Sequence, residues 1–167
     1  MASLLRSFAF HVSMRRSHGP TTLPERLGDG GFQEISGLEI EQDVQELYEG
    51  GRNDGVIRRV GRAKYQNLVL KRGMFFQGQG AVNRDLWEWL QSIASGRRPV
   101  PRYDGSIRLY AARFGDDQPA IAQWDFQRGL PAKLVGPQLN GRTGEVAIEE
   151  LHIAHEGLRL VEPEDLE

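Results

Sequence analysis

The stretch "FQEISGLEIEQDVQELYEGG", Phe32 to Gly51, decides the fold and admits two readings. Ile40, Val44, Leu47 and Tyr48 fall at i, i+4, i+7 and i+8, the apolar stripe of a helix. Leu38, Ile40, Val44 and Tyr48 also share the even phase of a strand, with Glu39, Glu41, Asp43 and Gln45 on the other face. "GEVAIEELHIAHEGLRL", Gly144 to Leu160, is ambiguous in the same way. Ala147, Leu151, Ala154 and Leu158 make a helical stripe. As a strand it requires Val146 and Ile148 on one face and Leu151 and Ile153 on the other, a phase switch that a β-bulge near Glu149 would supply. Periodicity alone leaves both segments open.

The flanking sequence reads as strands, turns and one helix. In "MASLLRSFAFHVSMRR" the clustered arginines follow a broken apolar run, unlike a signal peptide's basic start, and Ser7 to Ser13 reads as the first strand. "HGPTTLPERLGDGG", His18 to Gly31, holds two prolines and five glycines or aspartates and reads as a long surface loop. Glu49 to Arg62 reads as a second exposed connection, Gly-rich and basic, followed by a short β-rich segment from Asn67. "NRDLWEWLQSIASG" predicts a helix over about 83–95: Asn83 caps it, Asp85 suits its positive end, Leu86, Trp89, Leu90 and Ile93 form its stripe, and Gly96 stops it. Trp87 and Trp89 lie two apart, so one is expected to pack inward and the other at an edge or interface. An Asp104-Gly105 turn is expected before Ile107, Leu109 and Ala111, which alternate in phase; Ala120, Ala122, Trp124 and Phe126 alternate again, predicting a hairpin.

Composition bounds the rest. The 167 residues are most simply one domain with one core, a strand-rich body at about 7–161, a loop at 14–31 and a short acidic tail at 162–167. With 39% apolar residues, 26% charged and a formal charge of −2, the chain is neither a disordered tail nor a broadly basic nucleic-acid binder. It has no cysteine, which removes disulfides, thiolate metal sites and thiol nucleophiles and weakly favours a cytoplasmic setting. No stretch reaches the roughly 20 apolar residues that span a bilayer, so no membrane anchor is expected.

Read in order, "FQEISGLEIEQDVQELYEGGRND", "GRAKYQNLVLKRG", "LWEWLQSI", "DGSIRLY", "QWDFQRGLPAKLVGP" and "EVAIEELHIAHEGL" resemble the successive blocks of the tail-tube family of contractile phage tails and phage-tail-like injection systems. The resemblance runs from about Phe32 to Leu158, with Phe8 to Val12 similar to the family's first strand. It implies strands for both ambiguous segments, and a mainly β fold: a small antiparallel β-barrel or sandwich with one packed helix, related to the tube protein of type VI secretion and assembling into a ring. Met14 to Gly31 intervene where the family makes a short turn, and "FFQGQGAVN", Phe75 to Asn83, is longer than its counterpart.

The function the resemblance implies is mechanical. Hexameric rings stack into a hollow inner tube that a contracting sheath drives through a target envelope; the subunit is assembled in the cytoplasm into a phage tail or phage-tail-like particle. The implied partners are further copies of itself, the sheath, baseplate or tube-terminating proteins, and cargo or DNA passing through the lumen without specific binding. A tube-initiating or baseplate-adaptor ring of the same fold is the alternative, and a monomeric β-barrel binding module is the alternative from another class. A lumen favours small or acidic residues, which makes Glu39, Glu41 and Asp43 candidates for its face. Arg52, Arg58, Arg59, Arg62 and Lys64 are candidates for contacts between subunits or rings; no aromatics interleave with the arginines, which argues against nucleic acid.

No residue pattern specifies catalysis. His152 and His155 are spaced for a metal only on a helix, so neither metal nor cofactor is expected. "GQGAVN" and "GDGGF" lack the lysine and hydroxyl of a P-loop, and Ser36-Gly37 reads as a bend between strands, not as a nucleophile elbow.

Overall fold

A computed structural model of the chain describes residues 9–19, 22–28, 31–51, 53–76, 78–111 and 119–163. Ser7 and Phe8 of the expected first strand, Arg52, and 164–167 of the expected tail lie outside these residues. The elements run β1 (Phe10–His18), β2 (Arg26–Leu27), β3 (Phe32–Ser36), β4 (Ile40–Leu47), β5 (Ile57–Tyr65), β6 (Leu68–Gly73), α1 (Asp85–Ala94), β7 (Arg102–Tyr110), β8 (Ala120–Val135), β9 (Ile148–Ala154) and β10 (Gly157–Val161). Both ambiguous segments are therefore strands.

Seven strands lie in the order β2-β1-β7-β8-β9-β6-β3, with β10 also on β8, and every pairing is antiparallel. The 16-residue β8 folds this sheet over its core. Its first half lies between β7 and β10, and its second half pairs with β9. Between the halves Arg128 takes φ 51 and Gly129 brings its backbone against Tyr103, where a Cβ would meet the Tyr103 carbonyl oxygen at 2.8 Å. A strand that bends in this way serves both halves of a sandwich.

Side chains in alternate register fill the interior. Val12 and Met14 of β1, Ile107 of β7, Phe126 of β8, Leu68 and Leu70 of β6, Leu151 and Ile153 of β9 and Leu158 of β10 are buried together. Each such aliphatic side chain stabilises the fold by roughly 1.5–3 kcal/mol relative to exposure. Helix α1 closes the core with Leu86 and Trp89, and Ile93 packs against it, whereas Leu90 is only half-buried and the buried place beside it is taken by Ser92. Trp89 meets Tyr103 edge-on at 4.9 Å between ring centroids and donates its indole N–H to the Pro101 carbonyl, 2.9 Å. Trp87 is half-buried, so the two tryptophans divide as expected. Asn83 lies one residue outside the cap position, and its Oδ1 accepts the Asp85 N–H at 2.9 Å.

Four expectations are corrected. The first strand continues through Met14 to His18, and within the expected loop Leu27 lies in β2 while Leu23 and Leu27 are buried, because β1 offers an open edge and a core flank for them to cover. Asp104-Gly105 is no turn: both residues lie inside β7, where Gly105 makes room for the Phe126 ring, whose atoms would be 2.2 Å from a Cβ there. Ala111 accordingly lies past the strand and is exposed. The 49–62 connection is shorter than expected, because Arg58, Arg59 and Arg62 belong to β5. Finally, β9 has no bulge at Glu149; its register with β6 runs unbroken from Leu68↔Ile153 to Gly73↔Ile148. Glu149 itself occupies the inward phase with Leu151 and Ile153, and Val146 and Ile148 are exposed.

Candidate assembly surface

The candidate residues converge on one element. β4 and β5 form a two-stranded sheet of their own, hydrogen-bonded to no other described strand. They are the outer half of a long bent hairpin whose inner half, β3 and β6, belongs to the main sheet. The bend is at Gly37, with φ +89 and a would-be Cβ only 2.1 Å from the Asn67 carbonyl oxygen, so a side chain is excluded there. Ser36-Gly37 is thus the expected bend between strands.

Register assigns the faces of the outer half. Ile40, Gln42, Val44 and Glu46 lie opposite Tyr65, Ala63, Val60 and Arg58 on one face. The other face carries Glu41, Asp43, Gln45 and Leu47 with Lys64, Arg59 and Ile57. On the first face the apolar side chains are open to solvent: Ile40 is 54% exposed, Val44 61% and Val60 72%. An isolated two-stranded hairpin is marginal in water, and on this face Tyr65, at the root, packs against the core and the His155 ring while Ile40, Val44 and Val60 beyond it remain open.

Charges segregate by strand. β4 carries Glu41, Asp43 and Glu46 and no base, while β5 carries Arg58, Arg59, Arg62 and Lys64 and no acid. Two pairs close within the hairpin, Lys64 to Asp43 at 2.8 Å and Arg58 to Glu46 at 3.6 Å. The hydrogen bond and charge of Asp43 raise the Lys64 pKa above its ordinary value. The candidate lumen face of Glu39, Glu41 and Asp43 is therefore not uniformly acidic, because Lys64 and Arg59 project from the neighbouring strand on the same side as Glu41 and Asp43. Both sets of candidates lie on this hairpin, apart from Arg52, which is outside the described residues.

The root of the hairpin is held by a buried polar cluster that the sequence reading missed. Arg72 of β6 and Glu149 of β9 are each 1% exposed, with Nε 2.6 Å from Oε1. Arg72 also bonds Asp85 at the start of α1, and its guanidinium lies over Phe32 and Phe75, 5.6 and 5.4 Å from their ring centroids. Trp87 donates its indole N–H to Glu149 Oε2 at 3.0 Å, and the Gly28 N–H bonds Asp85 Oδ2 at 2.9 Å. Two strands, the helix and the segment after β2 are thereby tied together beside β3. The signal was present in "LVLKRG" and "IEELHIA", where Arg72 and Glu149 share the phase of buried leucines.

The histidines are engaged in the fold. His152 Nε2 lies 2.6 Å from Glu150 Oε1, and the His155 ring nitrogens lie 3.1 Å from the carbonyl oxygens of Gly157 and Gln66. Burial lowers the His155 pKa, outweighing those carbonyls, and burial together with Arg108 lowers that of His11. Among the described residues no three His, Asp or Glu side chains form a group that could hold a metal, and no helix is long and apolar enough to cross a membrane.

The family model "T4-like virus tail tube protein gp19" matches residues 6–159. Among solved structures, a chain of the six-fold symmetrised baseplate of the anti-feeding prophage is 21% identical with a TM-score of 0.76, covering 97% of this chain and 98% of that one. A chain of the extended sheath-tube complex of an extracellular contractile injection system is 20% identical with a TM-score of 0.70, covering 95% and 92%. A chain of the anti-feeding prophage tube-terminating cap is 20% identical with a TM-score of 0.70, covering 97% and 93%. No curated protein sequence matches the chain.

Proposed function

Since the chain belongs to the T4-like virus tail tube family, and so to the components of phage tails or phage-tail-like particles, we propose that it is the inner-tube subunit of a contractile injection system. In this reading six copies close into a ring, and rings stack into a hollow tube that sheath contraction drives through an envelope. Its partners are further copies, the sheath, and baseplate or terminating proteins. The subunit does this as a structural part and carries out no reaction.

The observation that carries this reading is the β4–β5 hairpin. A ribbon with Ile40, Val44 and Val60 exposed gains its stability from a surface outside its own chain, and a repeated assembly supplies that surface at every copy. Of its two faces, the apolar one suits cover by protein. The face with Glu41, Asp43, Arg59 and Lys64 suits a wet lumen, and Glu39, just before β4, extends it. Mixed charge there neither holds nor repels a passing polyanion strongly, which a conduit requires. Of the basic candidates, Arg58 and Arg62, together with Arg52 in the loop before them, act in contacts between copies, whereas Arg59 and Lys64 share the face with Glu41 and Asp43.

A second reading, a tube-initiating or baseplate-adaptor ring, is favoured by the Met14–Gly31 insertion. It places β2 on the outer edge of β1 and so alters one end of the sheet relative to a subunit with a short turn there. Electron microscopy of purified protein, alone and with a nucleating partner, tests both. Long six-fold tubes are expected for the inner-tube subunit, and single rings that never elongate for the initiator. A strictly monomeric species under every nucleating condition would leave only a monomeric binding module.

A further inference from the structure

The sheet that carries β1, β7, β8 and β10 has two chemically different ends. Register puts His18 beside Arg102 and Tyr103 beside Gly129 at one end, and Phe10 beside Leu109 and Tyr110 beside Ala120 at the other. Arginines gather at the first. Arg15 pairs with Glu25 at 2.8 Å, and Arg102 and Arg128 share the one carboxylate of Glu156 at 3.6 and 2.8 Å. Arg16, Arg26, Arg97 and Arg98 meet no carboxylate among the described residues. Arg16 donates to the Leu23 carbonyl, Arg97 to the Thr22 hydroxyl at 2.8 Å and Arg98 to the Arg97 carbonyl at 2.9 Å. Gly19 holds the two arginine-bearing segments together, since a Cβ there would lie 2.5 Å from the Pro101 Cα. Between them is a cleft of about 420 Å³, lined by Thr22 and Leu23 from the segment before β2, by Gln91 and Ser92 of α1, and by Arg97. Glu88 on its wall is already paired with Arg84 at 3.4 Å.

The opposite charge leaves toward the other end. β10 starts beside Gln127 and finishes with Val161 beside Gln123, so it runs away from the arginines, and the sequence continues Glu162-Pro163-Glu164-Asp165-Leu166-Glu167. We propose that this acidic segment of one copy docks in the cleft of a second copy, its carboxylates on Arg16, Arg26, Arg97 and Arg98 and Leu166 against Leu23. The inference rests on the assembly reading above and deepens it by giving a repeated contact a donor and an acceptor. Charge complementarity names the occupant. Glu162, Glu164, Asp165 and Glu167 supply carboxylates to guanidinium groups that lack them, and guanidinium–carboxylate forks are the strong form of such pairs. Leu166 matches Leu23, the apolar member of the cleft lining. Reach argues against return to the segment's own cleft. Six extended residues span about 20 Å, and most of that, roughly 17 Å, is needed to retrace β8 from Gln123 to Arg128. Because donor and acceptor lie at opposite ends of one subunit, the contact is heterologous and gives the assembly one direction.

The test reverses each side in turn. One variant carries Glu164→Lys, Asp165→Lys and Glu167→Lys, a second carries Arg26→Glu, Arg97→Glu and Arg98→Glu, and a third carries both sets. Arg26, Arg97 and Arg98 are exposed, and every variant is expected to keep a wild-type circular dichroism melt. Each single set should raise the protein concentration at which rings or tubes appear in electron micrographs by at least about tenfold, and the third variant should return to within about threefold of wild type. Wild-type assembly by either single set, or no recovery by a folded third variant, would overturn the docking and leave the ring reading standing. Wild type that never assembles would bring down both. If a variant does not fold, cysteines placed in this cysteine-free chain decide the matter. Gln91 is exposed and lines the cleft, so Gln91→Cys mixed with Leu166→Cys under mild oxidation should give a mixed disulfide dimer well above the dimers of either alone. A chain carrying both cysteines should give a ladder of linked copies. No excess of the mixed dimer, or a doubly substituted chain that closes on itself as a monomer, would overturn the proposal.

Discussion

Glu149→Leu isolates what holds the root of the hairpin. The carboxylate is 1% exposed, accepts from Arg72 Nε at 2.6 Å and from the Trp87 indole at 3.0 Å, and lies next to Leu151 and Ile153 in the inward phase of β9. Leucine fits an apolar site of that size, so little packing is lost. What changes is that Arg72, itself 1% exposed, loses the Glu149 carboxylate while its bond to Asp85 remains, and retains a charge that burial penalises. Removing one member of a buried pair costs about 3–5 kcal/mol, a large part of the ~5–15 kcal/mol that holds a domain. At this chain length 1 kcal/mol moves the melting temperature by about 2–4 °C, so a drop of roughly 6–20 °C is expected. Arg72→Met combined with Glu149→Leu should recover most of the loss, because no orphaned charge remains and Asp85 keeps the Gly28 and Leu86 N–H groups at 2.9 and 2.8 Å. Urea titration and thermal melts followed by circular dichroism measure both. A Glu149→Leu chain melting within about 2 °C of wild type, or a double variant no better than the worse single one, would refute the view that this pair is a mutually dependent buried clamp.

Other outcomes follow from the same geometry. Gly37→Ala should lower stability by about 1–3 kcal/mol in urea titration and reduce ring yield, since its φ of +89 is strained for alanine and the Cβ would meet the Asn67 oxygen at 2.1 Å. Leu86→Asp puts a charge at a position 1% exposed and should leave the chain insoluble on expression; a soluble product with an unchanged melt would show that α1 does not close the core. His11 and His155 have folded-state pKa values below the ordinary 6.5, so the unfolded chain takes up protons first on acidification. Their contribution is present above pH 6.5 and is lost as pH falls from there through the lower folded values, seen as a urea midpoint that falls once the pH drops below 6.5. At the alkaline end burial pushes Tyr103 up to about 12, so its contribution holds below pH 10 and is lost as pH rises from 10 through about 12; a flat midpoint there would place its hydroxyl in solvent.

What the sequence made legible depends on how each residue earns its position. The helix was readable because Asn83, Asp85, Leu86, Trp89 and Gly96 agree on one element, and local agreement of that kind rarely survives by chance. The β7–β8 hairpin was readable for the same reason, through alternation on both strands. The Asp104-Gly105 turn failed because Gly105 serves the Phe126 ring across the strand pair, a long-range demand that no neighbouring residue announces. The choice between helix and strand in 32–51 could not be made locally, since Ile40, Val44, Leu47 and Tyr48 of that segment are exposed and no core sorts them. The same absence explains why the candidate residues were found and their arrangement was not. Acid and base runs in β4 and β5 were visible as composition, but only register puts Lys64 beside Glu41 and Arg59 beside Gln45, and so makes one mixed face out of an expected acidic one. Arg72 and Glu149 carry the opposite lesson. Each interrupts an inward row of aliphatic residues, at Leu68-Leu70-Arg72 and at Glu149-Leu151-Ile153, and a lone buried charge is tolerated only if an opposite one meets it. Two such interruptions of opposite sign, in two strands of one fold, already specify a pair. A bulge invoked to move Glu149 outward removes the anomaly and, with it, the contact that fixes where the hairpin points.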